Sequence, residues 1–513
     1  MSFISMLKLV DNFLDRITMY RLVLYYLIFL LAIALALGSL GMLPYSPASL
    51  LLTVAALLVY CWAANALFAG IFKVPANAES VYITALILAL IISPAKPAVF
   101  LASAPFLIWA SVWAMASKFI ANIGGKHIFN PAAFAVALTA LTINQSASWW
   151  IGTPVLFPAV LIGGLLVIRK VRRFDAVIAF TAGALLTIFL LTVGKSNTIL
   201  TLQRSLIYSP LVFFAAIMLT EPLTMPPDRN SRIIYGFLVG WMFAPETHLG
   251  SFYFTPELAL LAGNLYSYIV SPKGRYALKL LAKQKAGQGI YDFIFAAPKG
   301  LAFKPGQYME WTLPLKRGDS RGNRRFLTLA SSPTERNLLL GVKFYPDPSR
   351  FKQELADLDT GGGIVGGQLA GDFVLPDRRD KKLVFVAGGI GITPFRSIIK
   401  YLIDRNEKRP ITLLYSNRQF NEIVYSDVLE EARQKLGINT FYALTDLKQI
   451  PEGWQGQKGH FDLKAVARAV PDFKEREFYI SGSHNMVTGF KDLLLNLGVR
   501  RAEIKTDFFP GLV

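Results

Sequence analysis

Cysteine is almost missing from this chain: Cys61 is the only one in 513 residues. Internal disulfides are therefore excluded, and so is a chain-borne iron–sulfur cluster, which needs about four thiolate ligands. Histidine is also scarce, with His127, His248, His460 and His484 making the whole set. None falls inside an apolar run, which argues against a haem held between paired histidines and leaves His127 without a second strong metal ligand nearby; no metal site is expected. Charge is sparse, at 17% of residues against 53% hydrophobic, and acidic residues are outnumbered 34 to 53 by basic ones. The formal charge of +19 suggests nucleic acid at first sight. Much of the excess, however, sits in short loops beside apolar runs, where Lys and Arg set membrane orientation and meet anionic lipid. Nucleic acid is not an expected partner; membrane lipid is.

The composition divides sharply along the chain. From Arg21 to about Val270, apolar runs such as "RLVLYYLIFLLAIALALGSLGML" follow one another, and from about Lys273 none appears. The N-terminal "MLKLVDNFLDRITMYR" is charged and amphipathic and precedes a long run without a small-residue cleavage site, so no signal peptide is expected. Ten spans are predicted, at about 20–43, 48–72, 79–94, 98–119, 129–146, 153–169, 174–194, 206–221, 231–246 and 255–271. The loops holding Lys118 and Lys126, Arg169 to Phe174, and Arg229 and Arg232 alternate with loops poor in Lys and Arg, which places both termini in the cytoplasm. Lys96, Lys195 and Arg204 are exceptions.

The span region also echoes itself. Gly125, Phe129 and Pro131 in "GKHIFNPAAFAVAL" recur 125 residues later as Gly250, Phe254 and Pro256 in "GSFYFTPELALLAG". Five spans per repeat give two halves of opposite orientation. The third and eighth spans are short and end in "ALIISPAKP" and "AAIMLTEPLTMPP". Proline-broken segments at matching places point to a site within the membrane. Glu221, with Thr220 and Thr224 around it, is the notable group there, because a carboxylate at a span edge is expensive. Lys126, Asn130 and Pro131 in "KHIFNPAA" complete a candidate membrane flavin or ion site, with Asn130 and Pro131 breaking the helix.

The C-terminal part reads as two further domains. "YDFIFAAP" and "QYMEWTLP" alternate with period two around the turn-rich "KGLAFKPG". On the following "RRFLTLASSP", Arg325 suits a phosphate, Phe326 a flat ring system and Thr328 a ring edge. "KKLVFVAGGIGITPFRSIIKYL" is an apolar strand, a glycine turn and an amphipathic helix, the outline of a dinucleotide-binding turn. "PITLLYSNR" and "REFYISGSHNMVTGFKDLLLNLGV" continue the alternation, which argues a parallel sheet with crossovers.

Five motifs in order, PGQY, RRFLT, GGIGITP, SGSxxM and the terminal "DFFPGL", resemble the ferredoxin–NADP reductase superfamily over about 285–513. The resemblance implies an antiparallel β-barrel binding FAD, then an α/β nicotinamide-nucleotide domain. It assigns Arg325, Phe326, Leu327 and Thr328 to the flavin, with Ser349 helping at its phosphate. Gly388, Gly389, Gly391, Thr393 and Pro394 cradle the nucleotide, joined by Gly482 and Met486; Thr328, Phe326 and Phe509 are the catalytic candidates. Ser481 stands where many relatives have a cysteine. Ser416 and Arg418 lie where a 2′-phosphate sits, leaving NADH and NADPH open with a lean to NADH.

"KHIFNPAA" and "LTEPLTMPPDRNSRIIYGFLVG" resemble the membrane subunits of Na+-pumping NADH:quinone oxidoreductase (B subunit) and Rnf complexes (D subunit), over about 40–271. That family attaches FMN to a threonine of a Ser-Gly-Ala-Thr motif. Here the corresponding loop is "NQSASWWIGTPV", so any membrane FMN or riboflavin is expected to be non-covalent. The division expected is a transmembrane domain (1–272), a basic linker (273–288), an FAD-binding barrel (289–379) and an NAD(P)-binding domain (380–513). The resulting reading is a flavin oxidoreductase of the cytoplasmic (inner) membrane with cytoplasmic reductase domains. It passes electrons from NAD(P)H through FAD to an extracytoplasmic flavoprotein or quinone, with further subunits as an option. A redox-driven Na+ or H+ transporter, and a cytoplasmic flavin reductase merely anchored to the membrane, are the alternatives.

Overall fold

The computed structural model describes residues 10–507 except 12, 15–16, 73–77, 124–125, 195–196, 245–246, 251, 272–274 and 314–322. The chain forms two compact units, Met1–Lys273 and Gly274–Val513.

In the first unit every predicted span contains helix, but among the described residues the expected count of ten membrane-length helices is not met. Among the described residues, four helices are long and apolar enough to cross a membrane: Met19–Ser39, Pro47–Phe72, Pro97–Ile120 and Phe174–Thr192. A fifth results if Thr198–Ile207 and Leu211–Met218, bent by 55° at the break, count as one span. The others are shortened by their own caps. Asn130 opens Pro131–Ile143 and Asn144, at φ 54°, closes it after 13 residues. Arg172, at φ 56°, closes the 15-residue Phe157–Val171. At 1.5 Å per residue such helices reach roughly 20–23 Å, short of a hydrocarbon layer of about 30 Å.

The echo noted in the sequence has a structural counterpart. Phe100–Ile120 leads through the hairpin Asn122–Ile123/Lys126–His127 into Pro131–Ile143. Arg229–Phe243 leads through the hairpin His248–Leu249/Phe252–Tyr253 into Pro256–Val270. Helices Phe174–Thr192 and Arg229–Phe243 pack through glycines: a Cβ on Gly240 would lie 2.1 Å from the Phe180 carbonyl oxygen, and one on Gly236 2.3 Å from that of Ala176. Small residues at four-residue spacing allow this backbone approach. Across the same pair, Arg232 bonds Asp175 at 2.8 Å.

The second unit begins with six antiparallel strands: β1 Tyr276–Gly287, β2 Ile290–Ala296, β3 Tyr308–Thr312, β4 Arg324–Thr328, β5 Asn337–Lys343 and β6 Gly363–Ala370. Their order is β4-β3-β6-β1-β2-β5, an antiparallel sheet as expected for the first of the two domains. The expected linker at 273–288 is largely strand β1: Leu278 and Leu280 face the core while Lys279 and Lys283 alternate outward. A parallel sheet follows, β7 Leu383–Gly388, β8 Ile411–Asn417, β9 Asn439–Leu444, β10 Gln457–Lys458, β11 Glu477–Ser481 and β12 Ile504–Asp507, in the order β10-β9-β8-β7-β11-β12. Helices Thr393–Asp404, Ser426–Leu436, Leu463–Ala469 and His484–Asn496 make the crossovers. Strands such as "LVFVA" are apolar throughout because both faces are covered, Phe385 packing on Phe395 and Val384 and Val386 packing within the opposite layer. The strand order reverses between β7 and β11, the switch point at which open α/β sheets bind ligands.

Candidate flavin and nucleotide site

The turn after β7 meets the turn after β11 at that switch point. Gly389 has φ +54° with open space around its absent Cβ, so its role is conformational. Gly391 is different. A Cβ there would lie 2.4 Å from the Ser481 carbonyl oxygen and 2.7 Å from Gly482 Cα. Gly388 and Gly482 are both approached by Met486 Sδ, which a Cβ would meet at 3.1 and 3.0 Å respectively. The predicted residues Gly388, Gly391, Gly482 and Met486 are thus brought together. Thr393 donates its hydroxyl to the Ile390 carbonyl at 3.1 Å, and Pro394 occupies the first turn of Thr393–Asp404, whose N-terminus faces the same edge. Helix N-termini favour phosphate there.

Strand β4 divides its four predicted flavin residues between two faces, as strand alternation requires. Thr328 lies opposite Tyr308 and Phe326 opposite Glu310. The Phe326 ring stands edge-on to Tyr308, with centroids 5.7 Å apart. On the other face, the Arg325 guanidinium lies over the Phe351 ring at 5.2 Å, and the Leu327 carbonyl accepts from Trp311 Nε1 at 3.1 Å. Phe351 belongs to the short helix Arg350–Ala356 that Ser349 opens, so Arg325 and Ser349 meet through it. Glu310, buried across from Phe326, has its carboxyl pushed above the ordinary range by desolvation, opposed by Arg324 at 3.6 Å and by Arg275. Ser416 pairs with Gly388 in the sheet, and Arg418 follows β8. Phe509 lies outside the described residues.

A connection between the two sheets was not legible in the sequence. Arg396, in the first turn of Thr393–Asp404, forms a two-pronged pair with Glu335, one bond at 2.8 Å, and donates to the Ala330 carbonyl at 3.0 Å. Ser397 Oγ donates to the Ser331 carbonyl at 2.6 Å. Residues 330 and 331 lie just beyond the end of β4 at Thr328, so helix Thr393–Asp404 holds the exit of that strand. On the other side of Arg396, 5.7 Å from the guanidinium, stands the Tyr425 ring, and the Tyr425 hydroxyl donates to Asp292 at 2.6 Å. Burial raises the Asp292 carboxyl, against the Tyr425 bond.

The first unit holds a separate polar cluster. Asn130 Nδ2 donates to Glu221 at 2.8 Å while its Oδ1 accepts from the Ala132 and Ala133 N–H groups. Thr224 Oγ1 donates to the same Glu221 oxygen at 3.3 Å. Three predicted residues therefore converge. Thr220 does not join them, its hydroxyl being spent on the Ala216 carbonyl, and Pro131 is the buried first residue of its helix. The Lys126 side chain lies outside the described residues. Asn264 Oδ1 accepts from the Asn130 N–H at 2.8 Å, and Asn264 Nδ2 donates to the Thr224 carbonyl and the Tyr235 hydroxyl. Asn264 was missed, although an amide inside an apolar run is a signal in itself. Lys118, read as a loop charge, is a helical residue whose ammonium donates to Ser80 and Thr84 at 2.9–3.1 Å.

An antiparallel sheet followed by a parallel sheet with a glycine turn at its switch point is the order of domains expected from the sequence. Residues 385–492 match the family described as the oxidoreductase NAD-binding domain. Among curated proteins, the glycine betaine monooxygenase reductase subunit of Pseudomonas aeruginosa is 26% identical over 229 residues, 44% of this chain and 62% of that protein. NADH-cytochrome b5 reductase 1 of Ajellomyces capsulatus is 28% identical over 223 residues, 42% of this chain and 70% of that one. The chain thus spans about three-fifths of the length of the first of these relatives. Among solved structures, the flavohem-like FAD/NAD binding domain of nitric oxide dioxygenase from Vibrio cholerae aligns over 45% of this chain and 98% of its own, with 21% identity and a TM-score of 0.41.

Proposed function

We propose that this protein is a membrane-embedded flavin oxidoreductase of the cytoplasmic membrane. In this reading it draws reducing equivalents from NAD(P)H and delivers them to a flavoprotein or quinone acceptor. The observation that carries the reading is the crowded glycine turn at Gly388–Gly391 against Ser481–Gly482, within a segment that matches an oxidoreductase NAD-binding domain. The relatives, reductase components by name, point the same way.

The residues present fit FAD. Arg325 and Ser349 supply a cation and a hydroxyl for its phosphates, and Leu327 and Thr328 an apolar surface and a hydroxyl for its ring. Arg324 Nε, buried without a hydrogen-bond partner, leaves a donor open on the Phe326 and Thr328 face. When bound, FAD supplies the exchange between two-electron and one-electron chemistry. The chain's own residues bind and orient: the Arg396 and Ser397 bonds hold the end of β4 against the nucleotide helix, and Glu310 sets a buried carboxyl, pushed up by desolvation and opposed by Arg324, opposite Phe326.

For the helical unit, the reading is a route for electrons, with Asn130, Glu221 and Thr224 at a non-covalent FMN or riboflavin site. The same buried cluster supports a second reading, a redox-driven Na+ or H+ transporter. A flavin count on detergent-purified protein, with gel fluorescence after denaturation, tests the first. Two non-covalent flavins are expected, and FAD alone overturns the electron route. Stimulation of NADH oxidation by Na+ or by an uncoupler in vesicles favours the second.

A further inference from the structure

Helices Phe174–Thr192 and Arg229–Phe243 run in the same direction, since Ala176 meets Gly236 and Phe180 meets Gly240, so their first turns lie together. Along the outside of the pair runs a groove of about 480 Å³, lined by Ala179, Ile233, Ile234, Phe237, Leu238 and Trp241. Ala179 adds only a methyl to the lining and Gly236 beside it nothing, which leaves a trough where the helices join. The long wall of the trough is an exposed row at four-residue spacing, Ile233, Phe237 and Trp241, which a helix presents on one face.

Charge gathers at one end of this groove. Arg229 opens the row one turn before Ile233, and Arg172 and Arg173 directly precede Phe174 on the neighbouring helix. Arg172 and Arg229 are exposed. Two aspartates stand here as well, and both are engaged: Asp175 pairs with the buried Arg232 at 2.8 Å, and Asp228 accepts from the Ser231 N–H at 3.0 Å. Arg172, Arg173, Arg229 and Arg232 against Asp175 and Asp228 leave an excess of positive charge. From Arg229 to Trp241 the row spans about 18 Å at 1.5 Å per residue, against about 15 Å for the hydrocarbon of one leaflet. A cationic end and an apolar trough about one leaflet long are the outline of a single lipid.

We propose that this helix pair binds one anionic glycerophospholipid, its phosphate held by Arg229, Arg172 and Arg173 and an acyl chain laid along Ile233, Phe237 and Trp241. This rests on the membrane-embedded reading above. Guanidinium groups pair with phosphate oxygens through two parallel hydrogen bonds, and basic clusters at the ends of membrane helices select anionic headgroups. A zwitterionic lipid brings its own cation, and the tail of a quinone brings no anion, so neither answers the excess charge.

The test uses the full-length protein in nanodiscs of phosphatidylcholine doped with brominated phosphatidylglycerol or with brominated phosphatidylcholine, and tryptophan quenching is titrated. The Trp241 share is the difference between wild type and Trp241→Phe. It is expected to be half-quenched at about tenfold less brominated phosphatidylglycerol than brominated phosphatidylcholine. Arg229→Gln is expected to lower that preference about fivefold, the effect of one basic residue at a membrane surface, and Arg172→Gln with Arg173→Gln to act in the same direction. The Trp109 share, read in the same way from Trp109→Phe, reports an exposed tryptophan on Pro97–Ile120 and is expected to show no preference. Equal quenching of Trp241 by the two lipids, a preference unchanged in Arg229→Gln, or the same preference at Trp109 overturns the proposal. Release of the protein from membranes by alkaline carbonate without detergent overturns the membrane reading itself, and the site with it. Quenching of Trp241 without lipid preference overturns the site alone.

Discussion

Replacing Gly391 by alanine places a Cβ 2.4 Å from the Ser481 carbonyl oxygen, 2.6 Å from its carbon and 2.7 Å from Gly482 Cα. All three neighbours are backbone, so no rotamer change relieves them, and the ends of β7 and β11 must move apart. Overpacking of this kind costs about 1–3 kcal/mol, and a clash with backbone on every side belongs at the upper end. Gly389→Ala meets nothing within 4 Å but must hold φ +54°, which costs an L-residue about 1–2 kcal/mol. Gly388→Ala meets only the flexible Met486 side chain, at 3.1–3.3 Å, and is expected to cost less than about 1 kcal/mol. Hydrogen exchange by mass spectrometry on peptides covering Leu383–Gly388 and Thr393–Asp404 reads these costs as opening free energies. The expected order is Gly391→Ala, then Gly389→Ala, then Gly388→Ala, with about two decades of protection lost in the first at 1.4 kcal/mol per decade. If Gly391→Ala proves as protected as Gly388→Ala, the two turns are not packed against each other and the account of the nucleotide cradle fails.

Two further outcomes follow from the join between the sheets. Removing one member of the Arg396–Glu335 pair, 11% and 23% exposed, leaves an uncompensated buried charge and is expected to cost about 3–5 kcal/mol. Arg396→Met combined with Glu335→Leu should cost less than either single change, as read by exchange protection of Thr393–Asp404. Asp292, raised by burial above its ordinary 3.8, keeps its proton longer in the folded than in the unfolded state. Its contribution to stability therefore falls as pH climbs from 3.8 through the raised value. Asp292→Asn still accepts from Tyr425 and should flatten that slope in melts between about pH 4 and 7; a variant clearly less stable than wild type at pH 7 would contradict the sign.

Local rules were legible and distant pairings were not. The GGIGITP turn could be read because glycine's conformational freedom and a helix start are properties of a few adjacent residues. The apolar runs announced helices but overstated their lengths, since Asn130, Asn144 and Arg172 trim them by capping. The lysines of strand β1 give it the look of a basic linker in sequence, and its period-two burial of Leu278 and Leu280 shows only once the partner strands are in place. In β4 an arginine, an aromatic and a hydroxyl are legible as residue types, whereas the strand pairing is what shows Arg325 and Leu327 on the face opposite Phe326 and Thr328. The Arg396–Glu335 pair joins residues 61 apart, and nothing near either residue in the sequence signals the other.

The two hairpin-led helices of the first unit differ in what their cap residues bond. Asn130 and Thr255 occupy equivalent places, each capping a proline-led helix after a hairpin. A threonine hydroxyl is enough for the cap, as Thr255 demonstrates by accepting from the Leu258 N–H. Asn130 caps through its oxygen and, through its amide nitrogen, also donates to Glu221. Aspartate there would cap equally well but set two carboxylates against each other. Serine or threonine would cap but has a shorter reach and no amide donor. The second copy has its own buried acid, Glu257, which accepts from Trp149 Nε1 at 3.1 Å instead of from its cap residue. An amide that serves cap and carboxylate at once is the one choice meeting both demands, so Asn130 ties the position of Glu221 to the start of the helix.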